Sequence, residues 1–286
     1  MTIDASAYIA ATRATWDRTA AGWNANTARI HQWLSPATAQ MLDAAGIVEG
    51  ARVLDVAAGA GDQTLDIARR VGPTGRVIAT DLSPEILAFA QANARAASLP
   101  NIEFIVADAE NLDLGTPLFN AAVCRLGLMF CLDPSRALRA MHNSLAPGGR
   151  ASVLVFASAE RNPCIGILGS VALAANAALV ADPYRPGSLL SLGKPGAIDA
   201  AFAAAGFGQI KTIAIDAPFK TPLTRDYVNF VRSAGGPILE MIERLDRDAQ
   251  LRAWRDMETK LGVFQGVEQW VGPHELLLTV GTKIAV

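Results

Sequence analysis

Three aspartates stand at sequence positions where a carboxylate can meet a sugar or a base. Asp55 lies inside the apolar run Arg52-Val53-Leu54-Asp55-Val56, Asp81 closes Val77-Ile78-Ala79-Thr80, and Asp108 closes the stretch that begins at Asn101. The first run is followed by Ala57-Ala58-Gly59-Ala60-Gly61-Asp62-Gln63-Thr64. A glycine-bearing turn from strand to helix lets a ligand approach the backbone closely and turns amide N–H groups toward it. The spacing argues against two common ligands of such turns. A dinucleotide loop needs G-x-G-x-x-G, and counting from Gly59 the third glycine's place is taken by Thr64. A Walker-type phosphate loop ends in Gly-Lys-Ser/Thr, and Gly61-Asp62-Gln63-Thr64 has no lysine. Asp81 follows Asp55 by 26 residues, where an acid can accept both hydroxyls of a ribose lying over the first turn. Asp108, one strand further on, can meet the exocyclic amine of adenine, and Leu82 offers the base an apolar face. Three acids on one edge suit a cationic adenosine ligand better than a polyphosphate.

Holding those acids in register calls for a parallel sheet with helices between its strands. The sequence reads as a strand at 53–56, a helix at 62–71, a Gly-Pro-Thr-Gly turn and a strand at 77–80. Ser83-Pro84-Glu85 then gives an N-cap, a proline at the first helical position and an early acid, and Pro100 stops that helix near Ser98. A third strand is expected at 101–108, a fourth at 119–128, a helix capped by Asp133-Pro134, and a fifth strand at 151–156. The flanks differ. Residues 1–49 read as a helical cap, 50–160 as the ligand-binding core, 161–200 as a lid insertion, and 201–286 as the completion of the sheet. This last part contains a helical insertion at about 223–270, of which 223–262 reads as two helices joined near Asp246. A helix-then-strand at 197–217 and a last strand at 275–285 bring the strands to seven, so the expected fold is α/β: a Rossmann-like, seven-stranded, mostly parallel sheet with helices on both faces and a helical lid.

All five tryptophans and all three tyrosines fall outside residues 50–156. Amphipathic rings in the flanks either bind the lid helices together or wall an apolar pocket over the sheet's carboxyl edge, where open α/β sheets bind ligands. Trp16, Trp23, Tyr184 and Trp254 are the candidates for such a pocket. Half the chain is hydrophobic, its net charge is only −2, and it has no basic run, which argues against a nucleic-acid surface. Cys124, Cys131 and Cys164 have no CxxC spacing, so neither a metal site nor a disulfide framework is expected, and the setting read from them is cytoplasmic. The uncharged run 164–181 is long enough to span a bilayer, but eight of its eighteen residues are alanine or glycine, with Ser170 and Asn176 inside. It reads as a covering helix, without stable membrane insertion.

Taken in order, VLDVAAGAGDQT, VIATDLSP, VADAENL, FNAAVCRLGLMF and LAPGGR resemble the class I S-adenosylmethionine-dependent methyltransferases. The nearest branch is that of the ubiquinone/menaquinone biosynthesis C-methyltransferases. The resemblance is strong over about 45–160 and looser in the flanks. It implies S-adenosyl-L-methionine as cofactor, with Ala57, Gly59 and Gly61 beside the methionine moiety and Asp55 near its amino-acid end. It also implies Asp81 on the ribose, Leu82 against the adenine, Asp108 with Ala109 at the adenine edge, and Gln63 and Thr64 adding polar contacts. Arg125 is then placed on the methionine and substrate side. Ala57 departs from the family's first glycine and Asn120 from its usual aspartate; the latter position is expected to be structural.

The implied reaction transfers a methyl group by in-line displacement to the oxygen, carbon or nitrogen of a small, aromatic or apolar acceptor, in quinone biosynthesis or secondary metabolism. His31, in the tryptophan-rich cap, is the histidine best placed by sequence for a base; His274 reaches the pocket only if its loop folds inward. A homodimer fits this picture, but the sequence leaves the oligomeric state open. Two other readings stand beside it, a dinucleotide-dependent oxidoreductase and a non-catalytic cofactor-binding protein.

Overall fold

The computed structural model describes residues 4–115, 119–175 and 182–284. The chain opens with two helices, α1 (Ala5–Ala25) and α2 (Thr27–Ala44). An alternating block follows: β1 (Arg52–Val56), α3 (Asp62–Val71), β2 (Arg76–Asp81), α4 (Pro84–Ala96), β3 (Ile102–Val106), β4 (Phe119–Arg125), α5 (Pro134–Ser144) and β5 (Leu145–Phe156). The rest comprises α6 (Pro163–Ala175), α7 (Ala197–Ala204), β6 (Gly208–Asp216), β7 (Phe219–Thr221) and α8 (Thr224–Ala234). It ends with α9 (Gly236–Glu243), α10 (Arg247–Leu261), β8 (Trp270–Gly272) and β9 (Glu275–Thr282).

Seven strands form one sheet in the order β3-β2-β1-β4-β5-β9-β6. The pairs from β3 through to β5 are parallel, while β9 runs antiparallel to both β5 and β6. The expected seven-stranded, mostly parallel α/β sheet is thus the observed one. Its central strands are apolar on both faces: Val53, Leu54 and Val56 of β1 and Ala121 to Cys124 of β4 are all buried. That is the pattern of a strand covered by helices on each side. Strand order reverses between β1 and β4, so the crevice at their carboxyl ends is the position where such sheets bind ligands.

Local chemistry fixes the helix starts. The Ser83 Oγ accepts the Ile86 N–H at 3.1 Å, and the Asp133 carboxylate accepts that of Arg136 at 3.0 Å. Each satisfies one amide that the first helical turn leaves without a partner. Asn120 is structural, as expected: its Oδ1 takes the Arg52 N–H at 2.8 Å, pinning β4 to the start of β1.

Three features differ from the sequence expectation. The fourth strand stops at Arg125 because Leu126 turns to a left-handed φ of 57°, leading into a 3-10 turn at Leu128–Phe130. The insertion at 223–262 contains three helices instead of two, since Gly235-Gly236-Pro237 ends α8 and starts α9. A small second sheet, β7 paired with β8, was not foreseen. Within the run 164–181, α6 covers the chain as far as Ala175 and packs against α9 and α10; residues 176–181 lie outside the described residues. No described helix is long and apolar enough to cross a membrane.

Candidate active site

A cavity of about 110 Å³ lies at the switch point, walled by Ala57, Gly59, Asp81, Leu82, Asp108, Ala109 and Arg125. α1 roofs it with Tyr8, Thr12, Trp16 and Trp23. The turn after β1 is tight. Ala57 holds a left-handed φ of 56°, a conformation that costs a non-glycine residue about 1–2 kcal/mol and explains why the resembled family places glycine here. The β4 loop passes so close that a Cβ on Gly127 would stand 2.3 Å from the Ala57 Cβ. On the other side, a Cβ on Gly61 would stand 2.9 Å from the Ala90 Cβ, so α4 can pack directly on the loop.

Asp81 is the best-presented acid. Its Oδ2 accepts the Gly59 N–H and its Oδ1 the Ser83 N–H, both at 2.9 Å. An ionised carboxylate has about four acceptor positions, so this one is fixed by the backbone with capacity left on the cavity side. Burial raises its pKa, and the backbone amides oppose that rise. Asp108 is fixed by the Glu110 N–H at 3.0 Å and the Asn111 side chain at 2.5 Å. Glu110, which the sequence reading missed, joins the same wall and accepts the Leu132 N–H at 2.7 Å.

Asp55, Gln63, Thr64 and Gly61 stand behind the wall instead of on it. Asp55 is fully buried, with Thr64 Oγ1 donating to it at 2.6 Å and Gln63 Nε2 donating to its other oxygen. Burial pushes the Asp55 carboxyl up to about 7. These groups brace the loop from beneath, and none lines the cavity. Arg125 does line it, but its Nη2 donates to both oxygens of Asp62 at 2.6 and 2.8 Å and its Nη1 donates to Thr38 Oγ1 at 3.0 Å. It therefore supplies a wall whose charge is paired within the protein.

Two further chambers adjoin. One, of about 600 Å³, runs between α1, α6 and α9 and is lined by Tyr8, Trp16, Phe130, Ile165, Leu189 and Ile238 among others. The other, of about 90 Å³, is almost wholly apolar, with Trp16, Trp23, Trp33, Leu126, Phe156, Tyr227 and His274 in its wall. Trp16 and Phe130 border all three spaces. Trp16 sits edge-on to Trp23 and Phe130, with ring centres 5.7 and 5.3 Å apart.

Three expectations are corrected. His31 lies on α2 beside Asp66 (3.5 Å), half exposed, and lines none of the three spaces; the helical turn that carries it faces α3. Trp254 is buried under the Arg232 guanidinium in the helical insertion, away from every chamber wall. Tyr184 takes the Ala159 N–H on its hydroxyl at 3.0 Å and stacks under Lys194, holding a loop instead of lining a cavity. The histidine that does reach the site is His274. The tryptophans that do are Trp16, Trp23 and Trp33, all on the first two helices. Among the described residues no cluster of histidine, cysteine and acidic side chains could hold a metal.

Residues 53–149 match the family model for a methyltransferase domain. Over 116 residues the chain is 37% identical to the ubiquinone/menaquinone biosynthesis C-methyltransferase UbiE of Enterobacter sp. (strain 638), covering 40% of this chain and 46% of that protein. The chain thus spans about half the length of the curated relatives it matches. Among solved structures, YcgJ from Bacillus subtilis shares the fold with a TM-score of 0.60 at 17% identity, covering 88% of this chain and 100% of the other. Haemonchus contortus phosphoethanolamine N-methyltransferase 2, solved with phosphomonomethylethanolamine and S-adenosylhomocysteine, shares it with a TM-score of 0.59 at 14% identity, covering 96% and 60%. Residues 53–149, the part of the chain that matches the methyltransferase-domain model, carry all of the strand-edge wall from Ala57 to Arg125.

Proposed function

We propose that this protein binds S-adenosyl-L-methionine at the switch-point cavity and transfers its methyl group to a small, flat, apolar acceptor held in the adjoining chambers. The observation that carries the reading is Asp81. Each of its oxygens is fixed by one backbone amide, and the carboxylate stands on the cavity wall with acceptor capacity to spare. A vicinal diol is the ligand group that such a carboxylate suits. Leu82 would flank the adenine, and Asp108 with the Ala109 backbone would meet its edge. Ala57 and Gly59 would bring the turn against the methionine part. When bound, the cofactor supplies an electrophilic methyl carbon, and the chemistry is its own.

The chain's own task is to place the acceptor in line with that carbon and to keep water out. The walls suit both. Trp16, Trp23 and Leu126 border the cofactor-side cavity and the small apolar chamber alike, so a molecule in that chamber would lie against the place where the methyl group is presented. A phenol or an activated ring carbon needs little help in losing its proton, which agrees with a wall so poor in titratable groups. The name of the bacterial relative makes quinol-like aromatics the first acceptors to test.

The test is transfer of labelled methyl from S-adenosylmethionine to a panel of aromatic alcohols, quinols and amines. Label is expected in at least one aromatic alcohol or quinol. A protein that binds the cofactor yet methylates none of them would be a binding protein, and one that binds NAD instead would be the oxidoreductase.

A further inference from the structure

We infer that the chamber of about 600 Å³ seats the body of the methyl acceptor, and that this acceptor is a multi-ring apolar molecule with a carboxylate that Arg185 receives at the chamber's rim. This deepens the proposed function and rests on it for the ligand's being a methyl acceptor.

Size selects the chamber. An apolar cavity of about 150 Å³ holds one benzene ring. The cofactor-side cavity, at about 110 Å³, and the small apolar chamber, at about 90 Å³, both fall below that. By the same measure the large chamber, at about 600 Å³, has room for about four fused rings. Most of its wall is apolar, Ile165, Leu173, Ile238 and Met241 included. Tyr8, Thr12, Trp16 and Phe130 belong to the cofactor-side cavity as well, so a molecule seated here would have one end against the place where the methyl group is presented.

Helix α6 leaves this space open. Gly166 and Gly169 line it, and an added Cβ at either would meet nothing within 4 Å. Two glycines weaken a helix, and no close neighbour calls for them here; what they leave is room in the chamber.

Four charged side chains border the chamber: Asp182, Arg185, Glu240 and Arg244. Arg244 is closed by Glu240 at 2.6 Å, and Glu240 also takes the Thr15 hydroxyl at 3.2 Å. Asp182 caps its own turn, one oxygen accepting the Tyr184 N–H at 2.9 Å. The Arg185 guanidinium has neither a carboxylate nor another acceptor among the described residues. The segment that carries it is pinned, with Ser188 Oγ donating to the Pro183 carbonyl and Ser191 Oγ to the Met129 carbonyl, each at 2.7 Å. Gly187 of the same segment lies against the Tyr8 hydroxyl with no room for a Cβ between them. Burial raises the pKa of that hydroxyl, and the Arg185 charge is near enough to oppose the rise. Its charge therefore acts on the chamber wall as well as on solvent. A guanidinium presents a planar fork that matches a carboxylate. A dianion is disfavoured, because Asp182 and Glu240 stand on the same border.

Fluorescence titration with 1-pyrenebutyrate and with the neutral 1-pyrenebutanol reads both size and charge, with the protein free and saturated with S-adenosylhomocysteine. The wild type is expected to bind both four-ring probes, and S-adenosylhomocysteine should displace neither. Substituting Gly166→Leu and Gly169→Leu together should weaken both probes by about tenfold or more, because the added side chains fill the space. The unfolding midpoint of that variant should stay or rise, since leucine favours the helix and meets no neighbour. Arg185→Gln, at an exposed position, should weaken the acid by about fivefold, the scale of an ion pair open to solvent, and leave the alcohol unchanged. Arg185→Lys should keep part of the acid's affinity. The inference is overturned if neither probe binds the wild type, if the leucines leave both affinities as they were, if Arg185→Gln acts alike on acid and alcohol, or if S-adenosylhomocysteine displaces the probes. Failure of S-adenosylhomocysteine to bind would instead count against the cofactor reading, and the titrations of the free protein would still decide the chamber and its charge.

Discussion

At the scale of single residues, the site is made by what the backbone does around Gly61 as much as by the acids. Gly61 combines a φ of 87° with the absence of a Cβ that would meet the Ala90 Cβ at 2.9 Å and its Cα at 3.2 Å. Gly61→Ala should therefore destabilise the fold by about 2–4 kcal/mol, from the left-handed conformation and overpacking together. A urea-unfolding midpoint within error of the wild type would show that α4 does not bear on the loop. The sequence made the three acids legible because strand ends follow from pattern, but it could not tell which of them faces the ligand. Asp55 points into the protein because the helix that follows the turn carries Gln63 and Thr64 directly to it. Arg125 lines the cavity, while its charge is committed to Asp62, a long-range pairing that spacing does not reveal.

At the scale of elements, the alternating block was readable because caps, prolines and apolar runs agree at each boundary. The flanks were harder. Three helices replace two in the insertion because Gly235-Gly236-Pro237 interrupts a pattern that stays amphipathic across the break. The aromatic residues of the lid were known by type alone. Which of them wall a chamber depends on how α1 lies over the sheet, and that is set by contacts distant in sequence. Ser83 Oγ donates to Asp17 at 2.5 Å, Asn93 reaches Asn24 at 2.9 Å, and the Tyr8 hydroxyl reaches the Phe130 carbonyl at 2.8 Å. Those contacts put Trp16 and Trp23 in the roof. His274 enters the site for a similar reason: the turn before β9 is tied inward by Asn162, a residue 112 positions earlier.

At the scale of the whole molecule, two buried groups give folding a pH signature. His274 is held at about 3 against an ordinary 6.5, so between those values the unfolded chain takes up a proton that the folded chain refuses. That lowers stability on acidification by about 1.4 kcal/mol per pH unit below 6.5. Asp55 is held at about 7 against an ordinary 3.8, so the folded chain keeps a proton that the unfolded chain releases, and acidification across that range is stabilising. The two slopes oppose each other between about pH 6.5 and 4. His274→Gln removes only the first, so its stability relative to the wild type should rise by about 1.4 kcal/mol per unit as the pH falls from 6.5 to 4.5. Chemical denaturation at a series of pH values reads this, and a pH-independent difference would mean that the folded protein lets His274 take up a proton.

The central claim is that the switch-point cavity holds an adenosine ribose on Asp81, and titration calorimetry with S-adenosylmethionine on the wild type and on Asp81→Ala tests it most directly. The wild type should bind, and the substitution should weaken binding by about 1.5–3 kcal/mol through the loss of charge-assisted hydrogen bonds. Equal affinity in the two proteins, or no binding by the wild type, would contradict it.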